Sequence, residues 1–354
     1  MIEYWYISLN LQHKIMIKPL EKTDKLLLIQ TENEVFDTVI PQNHPFRKIK
    51  EIVDWDTALA PLALHYSKTG TPGIAMEKGV LALLVQFWED YSDRQMEKCV
   101  RENIAVRWFC GFGLLEETPD HSYFSKLRSR IGTKALANLF NRINIILNDH
   151  GLFGNVFTFI DASTIITKTS LWEERDRALR DGEEKLNNTN VSKYAADKDA
   201  RWGAKSKNKI WFGHKRHTAV DMRHGLITKV AVTPANVPDY KMVESIAPKE
   251  GTVFMDKLYD TEEVNRILRA KGLHPSTIRK NNNKTKNRFL DRFRSSLRMP
   301  FEGTFSKLSK RARYRGHARV VMQSFLQAIV HNLKKALRFV TLAPRIPQLA
   351  PQPI

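Results

Sequence analysis

The chain has 354 residues, 42% of them hydrophobic, enough for two domains and a sizeable core. Its 57 Lys and Arg against 38 Asp and Glu leave a formal charge of +19, which points to a polyanionic partner, either nucleic acid or an anionic membrane surface. No stretch has the length of a spanning helix, the opening "MIEYWYISLN" lacks the basic flank and cleavage site of a secretion signal, and Cys99 and Cys110 offer neither a zinc pattern nor a disulfide framework. The expectation is a soluble, cytoplasmic protein, nucleoid-associated when bound to DNA, with no membrane partner.

Residues 1–43 form an N-terminal extension without strong periodicity, in which "KLLLIQ" and "VFDTVI" read as short strands. Residues 44–150 read as helices. "EKGVLALLVQFWEDY" is apolar over a broad face, and Ser92 with Gln95 makes a capping box opening the helix "DRQMEKCVRENIAVRWF". In "PDHSYFSKLRSRIG" Asp120 caps, Phe124 and Leu127 face inward, and Lys126, Arg128 and Arg130 stay polar. Thr133 starts a further helix that ends before Gly151. Short helices with a basic final member fit a helix-turn-helix-like DNA-binding domain; the plainer reading is a helical bundle with a solvated basic face.

After Gly151 the period changes to that of strands. "NVFTFIDAS" is the first, and a polar insertion follows over 172–208. "GHKRHTAVD" and "GLITKVAVTP" then form a hairpin. A short helix at 239–247, a strand "GTVFMD", a helix "TEEVNRILRAKGL" and a fifth strand "PSTIR" come next, before helices return at "MPFEGTFSKL" with Pro300 in a first turn. Three strands, helix, strand, helix, strand, helix is the order of a ribonuclease H-like α/β domain with a mixed five-stranded sheet, here spanning 151–340. The tail 341–354 is Pro-rich and expected to be disordered.

Two of these strands end in aspartate, "FTFID" at Asp161 and "TVFMD" at Asp256. Strand interiors disfavour Asp, so Asp161 either caps the following turn or projects into a site that needs negative charge. Two carboxylates side by side repel unless a cation separates them, and hard oxygen ligands select Mg²⁺ or Mn²⁺. Paired metals are the usual device for in-line attack on a phosphodiester, so two ions are expected. A third ligand is sought downstream, where the acids beyond Glu263 are Asp291 and Glu302. Asp291 lies among Arg288, Arg292 and Arg294, where an ion pair is the simpler explanation. Glu302, in the first turn of its helix, either complements the helix N-terminus or completes the site.

The chain resembles insertion-sequence transposases with a DDE catalytic triad, in particular the group akin to insertion sequence five. The resemblance spans about residues 75–338 and rests on "YSDRQMEKCVRENIAVRWFCGF", "TPDHSYFSKLRSRIG", "IDAS", "GHKRHTAVD", "GLITKVAVTPANVPD", "MDKLYD" and "RMPFEGTFSKLSK". It implies Asp161, Asp256 and Glu302 as catalytic metal ligands. It also implies Arg298, and Lys310 one position beyond the strict match at Ser309, as phosphate contacts; Ser295 stands where the group carries Tyr. The implied activity is cleavage of phosphodiesters at element ends and joining of the 3′-hydroxyls to target DNA, by a homodimer on double-stranded DNA and without a covalent protein–DNA intermediate. The rival readings are a nuclease that cannot join strands and a DNA-binding regulator with an unused triad.

The remaining candidates are ambiguous. Asp221 reads as a hairpin-turn residue, and Asp239 and Asp260 as helix caps. His214 and His217 flank Lys215 and Arg216 on one strand, where polar residues near DNA are a better reading than a metal pair. Trp202 either stacks on a displaced base or fastens a polar loop to the core. The run "KLSKRARYRGHAR", which includes Lys310 and Arg313, is a candidate backbone-tracking surface, and "VVMQSFLQAIVHNLKKAL" reads as core.

Overall fold

The computed structural model describes residues 32–65, 73–167, 171–206 and 208–340; the expected strand "KLLLIQ" and the Pro-rich tail lie outside them. The segment "VFDTVI" is not a strand: it belongs to helix α1 (Glu32–Val39). The reason is tertiary. Buried Arg47 donates to the carbonyls of Phe36 and Ile40 at 3.0 and 3.1 Å and pairs with Asp37 at 2.7 Å, which caps the C-terminal end of the helix. Arg47 sits on α2 (Pro45–Ile52), which α3 (Trp55–Leu59), a 3₁₀ turn (Ala60–His65) and α4 (Met76–Trp88) follow.

Ser92 caps α5 (Asp93–Glu102) with the expected reciprocal bonds to Gln95. The single long helix expected there is two. Asn103 takes an extended conformation, ends α5, and accepts the Val106 N–H to open α6 (Ile104–Cys110). Asp120 caps α7 (His121–Asp149), which bends where Gly132 adopts φ 72°, so the start expected at Thr133 falls at the bend.

The sheet has six strands rather than five. After β1 (Phe157–Ile166) the polar insertion carries α8 (Leu171–Arg180), α9 (Val191–Tyr194) and the additional strand β2 (Arg201–Ser206). Then come β3 (Lys209–Asp221), β4 (Leu226–Pro234), a 3₁₀ turn with α10 (Val243–Ile246), β5 (Thr252–Met255), α11 (Glu262–Ala270) and β6 (His274–Thr277). β2 and β4 pair with successive halves of β3, β1 pairs antiparallel with its other edge, and β5 and β6 extend the sheet in parallel with β1. Gly213 is required where β1 and β3 meet, since a Cβ there would stand 2.1 Å from the Ile165 carbonyl oxygen. Helix α12 (Arg288–Lys307) starts far earlier than expected, capped by Asn287, and Pro300 therefore lies inside it rather than in a first turn.

The last helix, α13 (His317–Phe339), joins the two parts of the chain. Its Leu326, Ile329 and Leu333 share one hydrophobic cluster with Leu83 of α4, Leu136 and Phe140 of α7, Phe159 of β1 and Phe254 of β5. Buried Asn332 completes the junction: its side chain accepts the Ile227 N–H and donates to the Ile227 carbonyl, both at 2.8 Å, and donates to Asn144 of α7. Replacing Asn332 by Ala strands the Ile227 N–H and leaves its carbonyl to the Asn144 amide, which donates to it at 3.1 Å. We expect Asn332→Ala to lower stability by about 1–3 kcal/mol in chemical denaturation. An unchanged midpoint would show the junction to be held by apolar packing alone.

Candidate active site

Asp161 does not end its strand; β1 continues to Ile166. What ends is its pairing with β5, whose last parallel partners are Ile160 and Met255. The residues that follow are Asp161 and Asp256, so two carboxylates stand side by side where β5 stops and β1 runs on to a single bridge between Ile166 and Arg311. Both open on a cleft of about 590 Å³ whose walls include Lys205, Lys215, Asp239 and Lys257.

Burial pushes the Asp161 carboxyl up to about 6; the Ala162 N–H, Lys205 and Arg298 oppose the shift and the charge of Asp256 adds to it. Asp256 accepts the Lys257 N–H and caps the turn Lys257–Tyr259. Tyr259, from the same turn, is buried, and its hydroxyl has no partner among the described residues. Burial and the nearby Asp161, Asp239 and Asp256 hold that phenol well above its ordinary value, so it stays protonated. Sequence reasoning passed over Tyr259 because nothing local distinguishes a core Tyr from one aimed at acids.

Glu302 is not brought into the same group. Its carboxylate accepts from Arg298 at 3.1 Å, one turn earlier on α12, and is half exposed. Arg298 is buried, lies 3.8 Å from Asp256 and stacks 5.0 Å over the Phe159 ring. Arg298 thus stands between Glu302 and Asp256 and ties them electrostatically. No three His, Cys, Asp or Glu side chains converge as a metal-holding group among the described residues. The pair itself fits a hard divalent cation: two oxygen donors on adjacent strands, one resisting ionisation because nothing offsets its charge fully. Glu302 fits only as a ligand released from Arg298.

Asp291 is buried, accepts the Arg279 N–H at 3.1 Å and pairs with Arg294 at 3.3 Å, the structural use its surroundings indicate. Asp221 accepts the Gly154, Asn155 and Arg223 N–H groups, a turn residue as expected. Asp260 does not cap α11, whose cap is Thr261; it binds Arg279 at 2.7 Å and the Lys280 N–H. Asp239 makes no side-chain cap; it pairs with Lys215 at 2.7 Å on the cleft wall.

Several expected DNA contacts are structural. Arg128 is buried and grips Asp93 with two bonds, of 2.9 and 2.6 Å, because α5 packs across α7 there. Arg313 pairs with Asp90, donates to the Tyr91 carbonyl at 2.8 Å and lies over the Phe87 ring. His214 is enclosed and faces Asp197 at 3.3 Å, since α8, α9 and their connections cover that end of β3. Trp202 packs on Phe212 in a small cluster with Val191 and Ala195, which fastens the insertion to the sheet. Lys126, Arg130 and Lys310 are exposed, and Lys215 lines the cleft.

Sequence comparison adds a family to this geometry. The chain belongs to the DDE transposases: residues 153–333 match the transposase DDE domain, and residues 34–130 match the transposase domain DUF772. Among curated proteins it resembles the transposase for insertion sequence element IS1106 of Neisseria meningitidis serogroup B, with 31% identity over 229 residues, 60% of this chain and 77% of that protein. No solved structure matches. The protein is a DNA transposase, an enzyme of DNA cleavage and strand transfer, and its family implies use of a divalent metal. No helix among the described residues is long and apolar enough to cross a membrane.

The raised Asp161 carboxyl has a consequence for stability. The folded chain holds this proton more tightly than the unfolded chain, whose carboxyl titrates near 3.8, so stability falls as pH rises from about 4 to about 6 and stays low above it. With chelator present at pH 7.5, Asp161→Asn should therefore melt above the parent, by the equivalent of ~1–3 kcal/mol. The difference should vanish below pH 4. Equal melting temperatures at pH 7.5 would show that the carboxylate is not strained.

Proposed function

We propose that Asp161, Asp256 and Glu302 are the catalytic acids, on a ribonuclease H-like sheet, and that they hold two Mg²⁺ or Mn²⁺ ions during transposition of an element of the insertion-sequence-five group. The adjacency of Asp161 and Asp256 at the end of the β1–β5 ladder carries this reading. The strand sequence β4-β3-β1-β5-β6, antiparallel through β1 and parallel beyond it, supports the fold assignment. The motif order from "IDAS" through "MDKLYD" to "RMPFEGTFSKLSK" supports the group.

When bound, such cations supply the charge that activates an attacking hydroxyl and stabilises the leaving oxygen. The chain's own residues do the rest. Lys205, Lys215 and Lys257 on the cleft walls receive phosphate oxygens by charge-assisted bonds. Arg298 holds Glu302 by an ion pair and stands next to Asp256; were it to bind a phosphate instead, Glu302 would be released and available as a ligand. Water first frees a 3′-hydroxyl at the element end; that hydroxyl then displaces an oxygen at a target phosphodiester, so no bond to protein forms. Lys310, exposed at the end of this region, contacts the backbone farther out. The 44–150 segment, with Lys126 and Arg130 exposed on α7, recognises the element ends as one functional domain, and 151–340 cleaves. Two ends must be brought together, which assigns one copy of the chain to each, a cytoplasmic homodimer on DNA.

Two measurements test this. Asp161→Ala, Asp256→Ala and Glu302→Gln should each abolish Mg²⁺-dependent cleavage of element-end DNA while affinity holds or rises slightly, whereas Asp291→Asn keeps most of it. Cleavage that survives in one of the three removes that residue from the site. Lys126→Ala with Arg130→Ala should weaken binding to element ends more than to random duplex, at least several-fold; an equal loss on both would move end recognition elsewhere.

A further inference from the structure

A second large cavity, of about 600 Å³, lies away from the carboxylates, between the end of α4, the end of α12 and the last turns of α13. Its walls carry Lys307, Lys334, Lys335 and Arg338, with Trp88 and His331 between them. The acid on the rim, Asp90, is already taken by Arg313. Lys334 donates to the Trp88 carbonyl at 2.6 Å. Lys307, Lys335 and Arg338 pair with no carboxylate among the described residues, and the positive charges of Lys307 and Arg338, after burial, push the Lys335 ammonium below its ordinary value. Three unneutralised cations facing one hollow repel each other unless an anion enters.

The floor adds an independent observation. Arg216 of β3 is fully buried and reaches the cavity lining from behind, donating to the Ser309 carbonyl at 3.1 Å and to the Gln327 side chain. No described carboxylate pairs with it, and its Nη1 has no partner among the described residues. A buried guanidinium without a counter-charge is costly, and an anion drawn into the neighbouring cavity, beyond Ser309 and Gln327, lowers that cost through space. His331, pushed down to about 4 by burial, stays neutral there and donates its Nε2–H to the Gly225 carbonyl at 3.1 Å rather than adding charge.

Arg216 lies opposite Ser163 and Thr218 lies opposite Asp161, so Arg216 and Asp161 project from the same face of the sheet. Helix α12 links the two places, carrying Arg298 beside Asp256 and Lys307 to the cavity wall, about 13.5 Å apart along its axis. We propose that this cavity is a second anchoring site for the sugar-phosphate backbone of DNA, taking consecutive phosphates of the strand that flanks the one being cut. It rests on the DNA-transposase activity and is independent of which acids hold metal. The same chemistry serves element-end DNA or target DNA, and the experiment separates them.

The test uses the full chain with Lys307→Ala, Lys335→Ala and Arg338→Ala combined. A control triple removes as much charge at exposed positions on the helix covering the opposite sheet face and its approach, Lys249→Ala, Arg266→Ala and Arg269→Ala. Binding of labelled duplex is followed by anisotropy across salt concentrations, with cleavage and strand transfer measured alongside. The cavity triple should lose at least tenfold in affinity at moderate salt, and its log–log salt slope should fall by about 2–3, roughly 0.9 for each lost phosphate contact. The control should lose little, and a version with Lys307→Arg and Lys335→Arg should bind as the parent does. Loss of end binding and cleavage assigns the site to the element end; intact cleavage with reduced joining assigns it to target DNA. If the parent cleaves and joins while the cavity triple matches it in affinity, slope and both reactions, the proposal is overturned. A parent that fails to cleave contradicts the transposase reading instead.

Discussion

The parallel ladder between β1 and β5 is the constraint on which the site depends. It aligns Ile160 with Met255 and then stops, which leaves the next two residues, both Asp, side by side at a sheet edge. Like charges at that spacing are stable only in a positive surrounding. The chain supplies one: Arg298 stands beside Asp256, Lys205 and Arg298 act on Asp161, and the cleft walls carry further lysines. Part of the high net charge is thus spatially organised around the two acids.

The helical part is built into the same body. α13 passes between α7 and β4, and its apolar face fills a core that runs from α4 to the strands carrying the carboxylates. Asn332 fixes β4 to that helix through both backbone groups of Ile227. A force on the N-terminal helices therefore reaches the sheet through packed side chains rather than through a linker.

What could be read from sequence was local. The Ser92–Gln95 box, the Asp120 cap, the β3–β4 hairpin and both strand aspartates depend on neighbours a few residues away. What could not be read depends on distant partners. α1 exists because Arg47 caps it, Arg128 is withdrawn from the surface by Asp93, and β2 forms only by adding to the edge of β3. Arg216 illustrates the limit best: between two histidines on a basic strand it reads as a surface residue, yet it is fully buried behind the lining of the second cavity, bonded to Ser309 and Gln327. Asp161 shows a subtler case, since the residue was legible but its reason was not. It sits where a neighbouring strand ends, not where its own does.

The central claim is that Asp161 and Asp256 form one cation-binding pair. Titration calorimetry of Mn²⁺ into the full chain at pH 7.5, without DNA, tests it most directly. The account predicts saturable binding that disappears in Asp161→Asn and equally in Asp256→Asn, since either change removes half of one site. Binding that persists unchanged in both variants would contradict it.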